Sequence, residues 1–188
     1  MNSIKKAMVA QNKAHQGFTV VELLIVLSVI SAIFLVGSPA VSYLAQQRYL
    51  KSTTDDLVTS INMAQEEADK RYSTVRMCPS SGGTACRTDG DWNRGWLVFS
   101  DGNNNHVPDR IELLKYFGPP KKNIQVKADG AFRQIASFNV AGVVSANDSK
   151  VGSFSVCNLG TVSGSSTLIM GEDGFLEVKK SDDTCKIR

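Results

Sequence analysis

The hydrophobic positions of this chain fall into three successive patterns, and the first is an apolar run near the N-terminus. From Phe18 to Gly37 the only charged residue is Glu22. A helix of this length rises about 30 Å, which matches the hydrocarbon core of a bilayer. Lysines precede the run, and the next basic residue after it is Arg48. The positive-inside rule therefore predicts a membrane-spanning helix over 18–37 with a cytoplasmic N-terminus.

A second pattern follows Pro39, where apolar residues recur with the period of an α-helix. One face carries small or apolar side chains at steps of four and three, namely Leu50, Thr54, Leu57, Ile61, Ala64 and Ala68. The opposite face is polar and carries Asp55, Asp56, Asn62, Glu66 and Lys70. Because proline removes a backbone donor, Pro39 predicts a weakened stretch around residues 35–40. We predict an amphipathic helical segment over 38–73, which ends near residues 71–73 and packs on a globular domain.

The third pattern consists of short apolar runs between clusters of Gly, Asn, Asp and Ser. Such runs predict β-strands, here at residues 74–78, 95–100, 111–117, 123–128, 135–140, 152–159, 166–171 and 174–180. Their close spacing and turn-rich connections favour antiparallel pairing over βαβ units. The predicted fold class is therefore α+β, in which a long N-terminal α-helix packs on an antiparallel β-sheet globular domain of residues 74–188.

Cysteine usage places this β domain in an oxidising compartment. The composition is typical of a folded protein, and the net charge of +3 gives no argument for nucleic-acid binding. All four cysteines follow the apolar run, and none has the spacing of a zinc site. Disulfides persist outside the reducing cytosol. Of three possible connectivities we favour the pairing of sequence neighbours, Cys78 with Cys86 and Cys157 with Cys185, because each closes a hairpin-sized loop.

The sequence contains no recognisable set of catalytic residues. Its histidines, His15 and His106, have no partner nucleophile, and the P-loop, G-x-S-x-G and H-E-x-x-H patterns are absent. We therefore predict a protein that is not an enzyme. Trp92 and Trp96 are four residues apart, so on a strand they share a face, and we expect both in the core.

One polar loop, "DGNNNHVPDRIE", matches the spacing of oxygen ligands in a calcium-binding loop. Positions 1, 3, 5, 9 and 12 of the EF-hand template are occupied by Asp101, Asn103, Asn105, Asp109 and Glu112. Position 6 is His106 where the template has glycine, and the flanks predict strands instead of helices. Calcium binding is one hypothesis. The other is a polar hairpin loop whose Asn and Asp side chains bond to their own backbone.

The apolar run allows three interpretations. It is long enough for a plain signal anchor, in which Glu22 is tolerated near the interface. The small residues Ser38 and Ala40 fit a secretory signal peptide with Val41 as mature N-terminus, although the carboxylate and the length of the run count against it. The stretch "GFTVVELL", which begins at Gly17, resembles the signal of type IV prepilins and type II secretion pseudopilins, which a dedicated peptidase cuts after the glycine.

This resemblance implies a cytoplasmic leader of residues 1–17, cleavage between Gly17 and Phe18, and N-methylation of Phe18. Glu22 becomes the fifth mature residue, whose carboxylate is neutralised by the α-ammonium of a neighbouring subunit, because a buried charge needs a partner. Pilins also have a helix-breaking proline at the position of Pro39. The implied location is the bacterial inner membrane, crossed once with the C-terminal domain in the periplasm, and afterwards a pilus fibre or pseudopilus.

The β domain extends the resemblance. Its "W-x-x-G-W" stretch, Trp92 to Trp96, and its late strand "GSFSVCNL" are similar to sequences of the GspH/FimT/FimU family of minor pilins and pseudopilins. The resemblance implies a type IV pilin-like fold and a minor pilin that primes pilus assembly at the tip or initiation complex. The alternative is a GspH-type pseudopilin of a type II secretion system. Implied partners are the major pilin, other minor pilins and the prepilin peptidase.

A further alternative is DNA uptake, because some FimT-type minor pilins bind DNA through a basic C-terminal loop with a G-R-x-R motif. In this chain Gly174 is followed by Phe-Leu-Glu, so the paired arginines are missing. A basic patch contacts phosphates with an affinity that falls steeply with salt. The basic residues that remain for such a patch are Lys179, Lys180, Lys186 and Arg188.

Overall fold

The computed structural model describes residues 17–140, 142–144, 151–160, 164–171 and 173–181, except for the side chains at 34–40 and 142–144. The chain divides into two compact units, Met1–Ala40 and Val41–Arg188. Among the residues singled out in the sequence, Cys185, Lys186 and Arg188 lie outside the described ranges, as does the leader up to residue 16.

A single helix, α1 (Val20–Arg71), accounts for the first two sequence patterns. It begins after Thr19, whose hydroxyl accepts the backbone N–H of Glu22 at 3.3 Å, as in a helix N-cap. It ends where Tyr72 adopts a left-handed φ of 49°, the backbone conformation that terminates many helices. The predicted helix end near residues 71–73 is therefore confirmed.

Pro39 lies within α1, and the backbone is helical on both sides of it. The predicted weakening of the helix around residues 35–40 stays a prediction. Across the described residues, no helical segment combines the length and the hydropathy that crossing a bilayer requires.

Beyond residue 41, α1 has one buried face and one exposed face, as the amphipathic pattern predicts. All six residues of the predicted stripe are at most 7% exposed, whereas the polar residues of the opposite face are exposed. Thr54 fits this stripe because its hydroxyl donates to the carbonyl of Leu50 at 2.9 Å. Leu57 and Ile61 are completely buried, and burial of each stabilises the fold by about 1.5–3 kcal/mol. The second half of the helix is thus part of the core.

Within the described ranges nine strands follow α1, and eight of them lie where the sequence predicts strands. They are β1 (Thr74–Pro79), β2 (Trp96–Asp101), β3 (Leu113–Phe117), β4 (Ile124–Gly130), β5 (Ala136–Asn139), β6 (Gly142–Val144), β7 (Gly152–Asn158), β8 (Ser165–Met170) and β9 (Leu176–Ser181). The additional strand, β6, pairs with β5. Its three residues are too few to show an alternating pattern in the sequence.

The strands form two sheets, both antiparallel. One has five strands in the order β3-β2-β1-β5-β6, and the other has four in the order β4-β7-β8-β9. Most neighbours in a sheet are also neighbours in sequence, but β1 pairs with β5 and β4 pairs with β7. These two long-range pairings decide which strands share a sheet, and strand patterns alone do not predict them.

Trp96 joins the five-stranded sheet to the helix. It stands at the start of β2, is 1% exposed, and stacks on Phe117 with ring centroids 5.6 Å apart. Its indole N–H donates to the hydroxyl of Ser60 on α1 at 3.0 Å. A buried tryptophan needs such a partner for its polar edge. The expected core position of Trp96 is confirmed.

Trp92 is also completely buried, where it meets Phe154 of the four-stranded sheet edge-on at 4.7 Å. It lies in a short 3-10 helix, Trp92–Arg94, and not on a strand. The expected core position of Trp92 is confirmed, but Trp92 does not share a strand with Trp96. The reason is Gly95, whose φ of 101° ends the 3-10 turn before β2 begins, in a conformation that favours glycine.

Candidate functional site

The predicted cleavage site lies at the start of the described chain. Gly17, Phe18 and Thr19 precede α1 and have no regular secondary structure. A Cβ added to Gly17 would meet no atom within 4 Å, and the side chain of Phe18 is 76% exposed. Exposed and irregular segments are the ones that proteases cut. Among the described residues, none covers the bond between Gly17 and Phe18.

Glu22 lies in the first turn of α1 on an exposed surface. Its backbone N–H is bonded to Thr19, but among the described residues its carboxylate has no hydrogen bond and no ion pair. A carboxylate in the first turn interacts favourably with the helix dipole, by about 0.3–1 kcal/mol. Among the described residues, none supplies a cation to Glu22.

The apolar side chains around Glu22 are exposed as well. Each of the following is at least 43% exposed: Phe18, Val20, Val21, Leu23, Leu24, Ile25, Val26, Leu27, Val29, Ile30 and Ile33. A contiguous apolar surface of this kind marks an interaction site. Burial of each large side chain contributes about 1.5–3 kcal/mol. This part of α1 therefore presents an apolar surface suited to contact with lipid or with other proteins.

Cys78, near the end of β1, forms a disulfide with Cys86 that closes the loop after the strand. This is the pairing of sequence neighbours that we favoured. Cys157 on β7 is disulfide-bonded too, and its predicted partner, Cys185, lies outside the described residues. A closed loop has less conformational freedom when unfolded, so the bond stabilises the folded domain.

The loop of residues 101–112 is organised by a buried arginine on β1. The guanidinium of Arg76 donates to the carboxylate of Asp101, to the hydroxyl of Ser137 and, at 2.7 Å, to the side-chain oxygen of Asn104. Arg76 is 4% exposed and Asp101 is 2% exposed. The carboxylate also accepts two backbone N–H groups of the loop. A buried ion pair is tolerable when its remaining donors and acceptors are bonded in this way.

The other oxygens of the calcium hypothesis also accept hydrogen bonds within the loop. The side-chain oxygen of Asn103 accepts the N–H of Asn105 at 3.1 Å. The carboxylate of Asp109 accepts the amide of Asn103 at 2.9 Å, and both oxygens of Glu112 accept backbone N–H groups. This is the Asx-rich hairpin loop that the sequence left open. Within the described ranges no group of three or more His, Cys, Asp or Glu side chains is placed to hold a metal ion. Calcium binding therefore remains a hypothesis that the geometry does not favour.

Shifted pKa values in the domain have simple causes. The hydrogen bond from Arg87 lowers the pKa of Asp89 to about 2. The pKa of Glu67 is lowered by its bond to Arg71, and partial burial raises the pKa of Asp56. The first two belong to local ion pairs in which the acids are partly exposed, 24% at Glu67 and 47% at Asp89. These shifts therefore give no indication of catalysis.

The two described residues of the basic set lie on β9 and are exposed. Lys179 forms an ion pair with Glu177 at 3.1 Å. Because successive strand residues point to opposite faces, Lys179 and Lys180 do not form a single patch. Lys186 and Arg188 lie outside the described residues, so DNA binding by this basic set stays a prediction. A mobility shift with DNA at low salt would support it, and the absence of any shift at low salt would refute it.

The ion pair of Arg76 with Asp101 was missed in the sequence, although a signal is present. In "TVRMC" the arginine alternates with Val75 and Met77, both completely buried, so Arg76 points to the other face of the same sheet. A charged residue inside a strand of buried residues requires a partner of opposite charge. The sequence does not reveal which acid supplies it.

Comparison with known proteins agrees with this architecture. The family model of type II transport protein GspH matches residues 53–174, and that of the prokaryotic N-terminal methylation motif matches residues 12–38. No curated protein matches the chain significantly in sequence. The fold is similar to the type IV minor pilin FimU of Pseudomonas aeruginosa strain PAO1 in two crystal forms. Their TM-scores are 0.55 and 0.53, with sequence identities of 15% and 16%.

These alignments cover 76% and 73% of this chain, and 97% and 98% of the FimU chains. At this low identity they show the fold alone, which is the type IV pilin fold of an N-terminal helix on an antiparallel β domain. Proteins with this fold and an N-terminal methylation motif are structural subunits. Because the GspH family model spans well over half of the residues, the chain belongs to the GspH/FimT/FimU family of pilin-like proteins, and it is not an enzyme.

Proposed function

We propose that this chain is a minor pilin, which enters the tip or initiation complex of a type IV pilus and primes its assembly. Prepilin peptidase cuts the precursor between Gly17 and Phe18 and methylates the new N-terminus. The observation that carries this proposal is the methylation motif leading into α1, where an exposed apolar helix surface surrounds one carboxylate, Glu22, that has no partner among the described residues.

The proposed subunit has two successive environments. Before assembly the apolar part of α1 anchors it in the inner membrane, with the N-terminus in the cytoplasm and the β domain in the periplasm, where disulfides persist. During assembly this helix exchanges lipid for the helices of the major pilin and other minor pilins. Glu22 then pairs with the α-ammonium of a neighbour. An uncompensated charge in such a bundle costs several kcal/mol, so the pairing fixes the register between helices.

Cleavage is tested by mass spectrometry of the N-terminal peptide of the mature protein. We expect N-methylphenylalanine at position 18, and we expect Gly17→Val to leave the leader attached. Gly118→Val is a matched control, because a Cβ at either glycine meets no atom within 4 Å. A mature N-terminus at Val41, or an uncut chain, would contradict the proposal in favour of a secretory signal or a plain anchor.

A pseudopilin of a type II secretion system is the second candidate function. It is favoured by the match of residues 53–174 to the family model of type II transport protein GspH. The same processed helix serves both functions, so the N-terminus does not distinguish them. A deletion strain does: loss of surface pili with normal secretion supports the minor pilin, whereas retained exoproteins with normal pili support the pseudopilin.

A further inference from the structure

A groove of about 780 Å³ runs along the surface between α1 and β9, the outer strand of the four-stranded sheet. The helix contributes Leu44, Leu50 and Val58 to its walls, and the strand contributes Val178 and Lys180. All of its lining residues belong to the unit that begins at Val41. None of them has a part in the cleavage site or in the apolar surface around Glu22.

The floor of the groove is apolar. Leu50 and Thr54 are only 7% and 5% exposed, and the hydroxyl of Thr54 is already bonded to the backbone of its own helix. Val178 is paired in register with the buried Leu168, so it lies on the side of the sheet that faces α1. Val178 itself is 40% exposed, and Leu44 is 55% exposed. An apolar partner that covers these side chains removes apolar surface from water, which stabilises the complex.

The rim of the groove carries an excess of positive charge. Lys51 is paired with Asp55 at 2.5 Å. Arg48 and Lys180 are exposed, and neither forms an ion pair with any described residue. Within the part of the chain that the structure describes, the rim therefore presents two cations without an acidic partner beside an apolar floor. Such a combination is complementary to apolar side chains flanked by carboxylates.

At the opposite edge of the same sheet, β4 is hydrogen-bonded to the 3-10 turn at one position. There the side-chain oxygen of Asn93 accepts the backbone N–H of Val126 on β4 at 2.7 Å. On β9, by contrast, all residues from Glu177 to Ser181 are exposed. The exposed residues of β9 make this outer strand accessible to a partner.

We propose that the groove between α1 and β9 binds a segment of a neighbouring filament subunit, in which apolar side chains lie next to Asp or Glu. This inference rests on the proposed function, because it takes the neighbour from the same filament. A protein segment fits better than a membrane surface. Thr54 and Leu50 on the floor are only 5% and 7% exposed, so the floor lies below the protein surface. A flat bilayer surface does not reach into such a groove.

Photocrosslinking in assembled filaments tests the partner. We replace Val178 with p-benzoylphenylalanine in the full-length chain, and for comparison Lys121, which is exposed and lies outside the groove. We expect at least tenfold more crosslinking from position 178, to a filament subunit, within a few residues of a carboxylate. Equal yields at the two positions, or a crosslink to lipid alone, would overturn the inference.

Charge reversal tests the rim. We expect Arg48→Glu with Lys180→Glu to lower the crosslinking yield at least tenfold, which corresponds to about 1.4 kcal/mol. The reversal of Lys121 and Lys122, exposed residues outside the groove, is the matched control. Exchanging the crosslinked carboxylate of the partner for lysine should restore the yield. An unchanged yield in the Arg48 and Lys180 variant contradicts the role of the rim.

The two proposals fail in different ways. If the protein is never processed or never found in filaments, the proposed function is wrong. If the unlabelled protein is processed and incorporated normally but position 178 gives no specific crosslink, the inference about the groove alone is wrong. Circular dichroism of each variant shows that loss of the crosslink does not reflect unfolding.

Discussion

Replacing Arg76 with methionine is expected to destabilise the β domain by about 3–5 kcal/mol, the usual cost of leaving one charge of a buried pair without its partner. The side chains of Arg76 and Asp101 are 5% and 0% exposed, so water does not take over the role of the guanidinium. Methionine preserves most of the apolar stem. The loss therefore reports mainly the unpaired carboxylate and the missing bonds to Ser137 and Asn104.

The assay is urea unfolding of residues 41–188, which form a compact unit. With an m-value of about 2 kcal/mol per molar urea, the loss lowers the midpoint by roughly 1.5–2.5 M. Adding Asp101→Asn to Arg76→Met is expected to recover a large part of this loss, because the buried charge is then gone. Arg87→Met is the control, since the pair of Arg87 with Asp89 is largely exposed. Its midpoint should fall far less than that of Arg76→Met, because water can solvate the partly exposed carboxylate of Asp89 once Arg87 is removed.

If Arg76→Met and the Arg87 control have the same midpoint, the reasoning is refuted. The same holds if adding Asp101→Asn makes Arg76→Met less stable. Either result would mean that water or another cation interacts with the carboxylate of Asp101 once Arg76 is removed. The loop of residues 101–112 would then not depend on Arg76 for its order.

Three further predictions concern Glu22 in the helix, the polar loop of residues 101–112 and the pKa of Asp89. Glu22→Val should remain membrane-inserted and processed but should not enter filaments; normal incorporation in sheared fibres would show that the carboxylate has no pairing role. Calorimetry of the protein with millimolar calcium should show no heat of binding. The reason is that the side-chain oxygens of the loop of residues 101–112 already accept hydrogen bonds from the loop and from a guanidinium. Saturable heat would support the calcium hypothesis instead. The carboxyl of Asp89 should titrate near pH 2 by NMR and return towards its usual value of 3.8 in Arg87→Met. Because its folded pKa is lowered, the contribution of this group to stability is complete above about pH 3.8 and is lost as the pH falls towards 2. An unchanged titration midpoint in the Arg87 variant would contradict this cause.

Local patterns predicted most of the secondary structure. The stripe from Leu50 to Ala68 repeats with the helical period because one side of α1 is buried, and that regularity was sufficient to predict its buried face. Eight strands were predicted because Gly, Asn, Asp and Ser separate their apolar runs. Two failures have local causes. β6 is too short for a pattern, and the 3-10 turn that holds Trp92 was not predicted because the turn-ending role of Gly95 was not recognised.

The candidate site was predicted only in part. Gly17, Phe18 and Glu22 lie within six residues of one another, so a short motif predicts them together, and the family model of the methylation motif covers the same segment. The disulfide of Cys78 with Cys86 was also predicted, because its cysteines are neighbours in the sequence. The groove was not, because Leu50 and Val178 are more than a hundred residues apart and meet only through the pairing of β8 with β9.

The sequence by itself determined the features that depend on near neighbours: the processing motif, the helix with its two faces, the strands and the α+β class. Capping bonds and side-chain periodicity act over a few residues, so they can be recognised in any window of the chain. The tertiary structure alone decided the two sheets, the partner of Arg76, the use of loop oxygens as hydrogen-bond acceptors and the groove beside β9. Each of these depends on which distant segments pack together. That choice is made by the burial of the whole core, which no single segment of the sequence specifies.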